Sequence, residues 1–201
     1  MSDFLTFIQL GFRHITDLEA MDHILFLLAL AAIYRPRDWR KAMWVVTAFT
    51  IGHSVTLGLA VTGAIRLPTK LIEFLIPVTI VATCIENMIV RDREKAIWGG
   101  KYRPVFAGVF GLVHGAGFAN YLRDLFGDHI AVPLLGFNIG IEIGQVIVLS
   151  IAAIVLLTAD RTIAKVRESL RPDSVLRLRV LAVSLVVMVV AARWAIERNP
   201  W

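Results

Sequence analysis

Long apolar stretches alternate with short charged connections along the whole chain. Windows of about 18 to 28 residues are nearly free of charge, enough to cross a hydrocarbon core of about 30 Å as helices. The pattern predicts six spans, over about 17–34, 40–62, 69–90, 104–123, 131–158 and 176–197. Thr16 and Glu19 in TDLE have the spacing of a capping box and announce the first. The preceding FLTFIQLGF is apolar but too short to span, and is expected to lie along the interface. No internal repeat or low-complexity segment stands out, so residues 1–201 read as one integral membrane domain. The expected fold class is all-α, a polytopic bundle.

Composition agrees with the pattern. The chain is 57% hydrophobic and 18% charged, with a mean hydropathy of +0.71. A soluble domain of this length carries fewer apolar residues and more charge. The single cysteine, Cys84, falls inside a span, which excludes an intramolecular disulfide and a CxxC metal site. The start, MSDFLTFIQLGFRH, lacks the basic beginning and small-residue cleavage site of a signal peptide.

The net charge of +5 does not call for nucleic acid, because the basic residues are spread unevenly. Residues 35–41 carry four, 91–103 five and 159–179 six, together 15 of the 21. The alternate connections hold only Arg66 and Lys70, and Arg123. The positive-inside rule then puts the first, third and fifth connections in the cytoplasm and both termini outside.

With that orientation, position along a helix converts to depth at about 1.5 Å per residue. His53 and His114, counted from the inner face, and Glu142, counted from the outer, all reach roughly 14 to 16 Å. Asp22 and His23 fall nearer the outer end of the first span, and Glu86 and Asn87 near the inner end of the third. Ionisable residues in a membrane face the bundle interior and mark sites of function. On the fifth span Asn138, Glu142 and Gln145 share a face at i, i+4 and i+7. Gly136, Gly140 and Gly144 lie roughly opposite as a doubled GxxxG, a face for close helix contact and for possible pairing of two copies. On the third span Thr79, Thr83 and Glu86 repeat the polar spacing, with Pro77 loosening the backbone.

Two histidines and a carboxylate at one depth, with no lysine or arginine there, suit a bound cation. Imidazole and carboxylate favour nickel, cobalt, zinc or iron, and the lack of thiolates argues against a soft-metal site. The candidate ligands are Asp22, His23, His53, His114 and Glu142, with Glu86 and Asn138 on the pathway and His14 and His129 undecided. Taken singly, each residue has a plainer reading: His53 as an interhelical hydrogen bond, Asp22 and His23 as closure of the first turns, the glycines as packing. Two mechanisms share the constellation. One is a divalent-cation permease; the other is a membrane-embedded zinc hydrolase of lipid-like substrates, in which the metal activates water. A structural metal is a third option.

The segments DHILFLLAL, TAFTIGHSVTL, FGLVHGAGFA and GFNIGIEIGQ, taken together and in this order, resemble the HupE/UreJ family of membrane proteins, from about His14 to Val148. The resemblance implies six or so spans in the cytoplasmic membrane of a bacterium. It also implies a nickel, sometimes cobalt, permease of the kind that accompanies hydrogenase and urease gene clusters. The family's histidine and acidic motifs map onto Asp22, His23 and His114. Hydrogenase-linked members have a histidine shortly before the Asp-His pair, with proline and glycine between. Here seven residues separate His14 from Asp22, without Pro or Gly, and VHGAGFAN lacks a second histidine. That resembles the family's divergent second branch.

Overall fold

The computed structural model describes residues 2–18, 21–91, 100–118, 122, 130–166 and 171–201. Its elements are helical: α1 (Ser2–Thr16), α2 (Asp22–Ile33), a 3-10 turn (Pro36–Asp38), α3 (Trp39–Val61), α4 (Thr69–Val90), α5 (Arg103–Gly117), α6 (Ala131–Val166) and α7 (Pro172–Glu197). Among the described residues four stretches are long and apolar enough to cross a membrane: Pro36–Val61, α4, α6 and α7. The chain is an integral membrane protein. The predicted third span matches α4 to the residue, and α3 differs from the second by one residue at each end. At 36 residues, α6 is about 54 Å long and carries Asp160, Arg161 and Lys165 in its last turns.

Local chemistry sets the boundaries. Arg35 takes an extended backbone before Pro36, as a residue preceding proline does, and α2 stops there. Pro172 opens α7 at a position where its missing N–H costs nothing. Arg91 ends α4 in the left-handed region at φ 56°, with its N–H on the Asn87 carbonyl.

The first predicted span requires two corrections. Thr16 does not cap its start. It closes α1 instead, donating its hydroxyl to the Phe12 carbonyl, and the helix resumes only at Asp22. Glu19 lies outside the described residues. Nor does the N-terminal helix lie apart from the bundle, because it fills the doubled GxxxG face of α6. Gly136 meets Phe4, Gly140 meets Ile8 and Gly144 meets Ile15, so the two helices run parallel. A Cβ on Gly140 would overlap the Ile8 carbonyl oxygen. The expectation that this face joins two copies gives way, since the chain's own α1 occupies it.

A second parallel pair is built the same way. On α5, Gly111 lies against the Phe49 carbonyl and Gly115 against the His53 carbonyl of α3. Side chains at either position would force the backbones apart, so the pair depends on glycine. Helix α2 is held to α7 at both ends. Arg198 reaches Asp22 at 3.2 Å, while Arg179 donates to the Ala32 and Tyr34 carbonyls and pairs with Asp160 at 2.6 Å. The apolar core fills the space between, with Phe26, Phe49, Phe137, Leu57 and Ile141 almost fully buried.

Candidate metal centre

Four of the chain's five histidines converge where α1 ends and α2 begins. The break in the helix puts His14, two residues before the end of α1, beside His23, the second residue of α2. Their ring centroids are 4.6 Å apart. His53 enters from the middle of α3, 5.8 Å from the His14 ring and 6.1 Å from the His23 ring. Its backbone is fixed by the glycine clasp, since Gly111 and Gly115 both press on it. His114, one residue before Gly115 on α5, stands 5.3 Å from His23.

His14, His23 and His53 each offer a ring nitrogen, and the three atoms lie within 4.8 Å of one another. A first-row metal binds imidazole at about 2.0–2.1 Å, so modest closure would bring all three onto one ion. The wall is aromatic. Phe118 lies 4.2 Å from the His14 ring, Phe49 5.1 Å from His114, and Phe137 stacks on His53 at 6.4 Å. Such a shell excludes water and strengthens whatever the nitrogens bind.

The hydrogen bonding sets this cluster apart from ordinary packing. Both ring nitrogens of His53 are buried without a protein partner, as are Nε2 of His14 and His23 and Nδ1 of His114. Leaving one buried polar group unmatched costs about 1–3 kcal/mol, so a cluster of five is kept only for a purpose. One divalent cation would satisfy one nitrogen on each of His14, His23 and His53, because neutral imidazole is the form that ligates. His114 differs in having a partner: Nε2 is 3.1 Å from Thr79 Oγ1. That bond orients its ring next to the cage and uses one member of the polar face foreseen on α4.

The carboxylates foreseen as ligands or pathway groups are elsewhere, each with a partner of its own. Asp22, next to His23 in sequence, is taken by Arg198. Glu142 is exposed on α6 and accepts a hydrogen bond from Thr47 at 3.2 Å; His14 stands in the cluster where Glu142 was expected. The polar face of α6 does turn toward α3, with Thr50 donating to the buried Gln145 at 2.9 Å. Asn138 Oδ1 on the same helix is buried without a partner. Glu86 is clasped by Arg103 and by the Tyr102 hydroxyl, and Arg103 also donates to Asn87. Asn87 in turn donates to the Ala29 carbonyl at 2.7 Å. His129 lies outside the described residues.

Sequence reasoning left His14 undecided because α1 is too short to span and its spacing to Asp22 departs from the related motif. One signal pointed to it: the triple glycine face of α6 needs a helical partner, and Gly11, three residues before His14, packs on Phe137 of that helix. Arg198, Arg179 and Arg103 gave no signal, being distant in sequence from the groups they hold.

No curated protein and no solved structure matches the chain. A family comparison does. The profile described as HupE / UreJ protein matches residues 1–198, and the chain belongs to that family, which is associated with nickel and cobalt transport.

Proposed function

We propose that the chain is a permease for nickel or cobalt in the cytoplasmic membrane of a bacterium, with both termini outside, and that its cargo is held by His14, His23 and His53 with His114 alongside. The observation that carries this reading is the unpartnered nitrogens of three imidazoles from three helices, enclosed by phenylalanine rings. Among the described residues the cluster offers three neutral donors and no carboxylate, and such a set holds a cation less tightly than a mixed anionic site, which suits an ion that must leave again.

The cage lies between two ion pairs. Asp22–Arg198 stands at the start of α2, and Glu86–Arg103 stands near Ala29 and Leu30, about 10 to 12 Å further along the helix. Between cage and inner pair, Phe26 stacks on Phe49 at 4.8 Å and approaches His114 at 5.9 Å. In this arrangement Asp22 and Glu86, which would attract the cation, are each neutralised by an arginine. The cation draws Asp22 from Arg198 on the way in, and on the way out Glu86 receives it only after Arg103 lets go. The described state is therefore occluded.

A zinc hydrolase requires a carboxylate free to act as base beside the metal. Asp22, Glu86 and Glu142 are instead engaged by Arg198, Arg103 and Thr47, so this arrangement favours transport. Nickel uptake into proteoliposomes tests it. The wild-type chain should give saturable uptake that His53→Ala abolishes. Zinc that survives chelator dialysis, together with no uptake of any divalent cation, would overturn the proposal.

A further inference from the structure

A lateral crevice of about 480 Å³ opens between α2, α3, α6 and α7. It is separate from the histidine cage, since Ala31 on its wall lies eight residues beyond His23, about 12 Å along α2. The body is apolar, formed by Ala31, Met43, Leu149, Ala153 and Leu156, with the exposed Trp39 at its lip. Along α6 it runs from Val146 to Leu157, about 16 Å.

Its charge is confined to one end. Arg179 pairs with Asp160, one turn beyond Leu157, and Arg35 pairs with Asp173 in the first turn of α7. The two arginines differ in setting. Arg179 spends its guanidinium on Asp160 and on the Ala32 and Tyr34 carbonyls, and is buried. Arg35 is 25% exposed and faces an Asp173 that is 61% exposed, a partner that water and salt screen. A phosphate accepting two guanidinium bonds competes well with such a partner. Arg40, its guanidinium 5.4 Å over the Trp39 ring, adds positive charge at the same lip.

We propose that this crevice is a binding site for an anionic phospholipid, with an acyl chain along α6 and the phosphate on Arg35. Only an amphiphile with an apolar chain and an anionic end matches both the walls and the single charged end. The site is built in the manner of basic pockets between transmembrane helices that select lipid headgroups.

The test uses the purified full chain in detergent, with phosphatidylglycerol or phosphatidylcholine added as the probe. Native mass spectrometry counts bound lipid, and thermal melting reads its effect. The wild-type chain should retain one phosphatidylglycerol in preference to phosphatidylcholine and melt at a higher temperature with it. Arg35→Gln, a change at the surface, should weaken phosphatidylglycerol binding about tenfold, the loss of one charge-assisted bond. Ala153→Trp should remove the adduct by filling the crevice, with helicity by circular dichroism confirming that it folds. Equal retention of the two lipids by the wild-type chain, or unchanged selectivity in Arg35→Gln, would overturn the proposal. So would a wild-type dimer that Ala153→Trp converts to monomer without loss of lipid, because a second copy would then occupy the crevice.

Discussion

Two polar clusters lie about 9 Å apart along α2, and they have been completed in opposite ways. Around Asn87 every polar group is matched inside the protein: Glu86 to Arg103 and Tyr102, Arg103 to Asn87, Asn87 to the Ala29 carbonyl. One nitrogen, Arg103 Nη1, is the exception. Around His53 the protein supplies rings and apolar walls but almost no hydrogen-bonding partners. A membrane interior makes the difference informative, because no bulk water can stand in for a missing partner. A polar cluster that completes itself ties helices together. One left incomplete has nitrogens to offer a ligand.

Breaking each cluster should therefore give different phenotypes. His53→Ala should lower nickel affinity at least about 100-fold, more than the 10- to 100-fold typical of losing a group that only supports a ligand. Its thermal stability in the absence of metal should not fall, because an unmatched buried imidazole contributes little. Titration calorimetry and melting on the same preparation check both. Glu86→Ala should do the reverse, costing about 3 kcal/mol by stranding the buried Arg103. Adding Arg103→Leu should restore much of that loss, since removing both partners is cheaper than removing one. Denaturant unfolding in detergent reads the difference.

Acidity sharpens the contrast. Metal binding needs neutral imidazole, and protons compete for the same nitrogens. Nickel affinity should therefore fall once the pH is low enough to protonate the ligands, by about tenfold per unit for each ligand that must then lose a proton. Nickel binding titrated from about pH 7.5 down to the acid limit of folding should show the decline at its acid end, and binding unchanged over that whole range would speak against imidazole ligation. The smallest effect is expected at Thr79. Thr79→Val removes the partner of His114 Nε2, and should change nickel affinity only a few-fold because His114 stands beside the cage.

The sequence made the bundle legible because apolar length and basic connections are local signals. The α4 boundaries and the packing role of the α6 glycines followed from spacing within one helix, and His23, His53 and His114, candidate ligands from the sequence, do bring their rings into one cluster. Contacts between helices did not follow. Equal depth suggested that Glu142 joins His53, but depth says nothing about position around the bundle, and α6 turns that carboxylate to Thr47. His14 was obscured by the break between α1 and α2, which looked like the edge of a span yet lies inside the site. Arg198 lies 176 residues from Asp22 and Arg179 145 from Tyr34, so their pairings depend on the fold alone.

The most direct measurement is nickel titration of the purified chain by calorimetry, run beside His14→Ala and Glu142→Ala. The account predicts one site per chain, lost in His14→Ala and within about twofold of wild type in Glu142→Ala, in line with the cluster of three ring nitrogens. Loss of the site in Glu142→Ala, with binding intact in His14→Ala, would contradict it and move the metal to the face between α3 and α6.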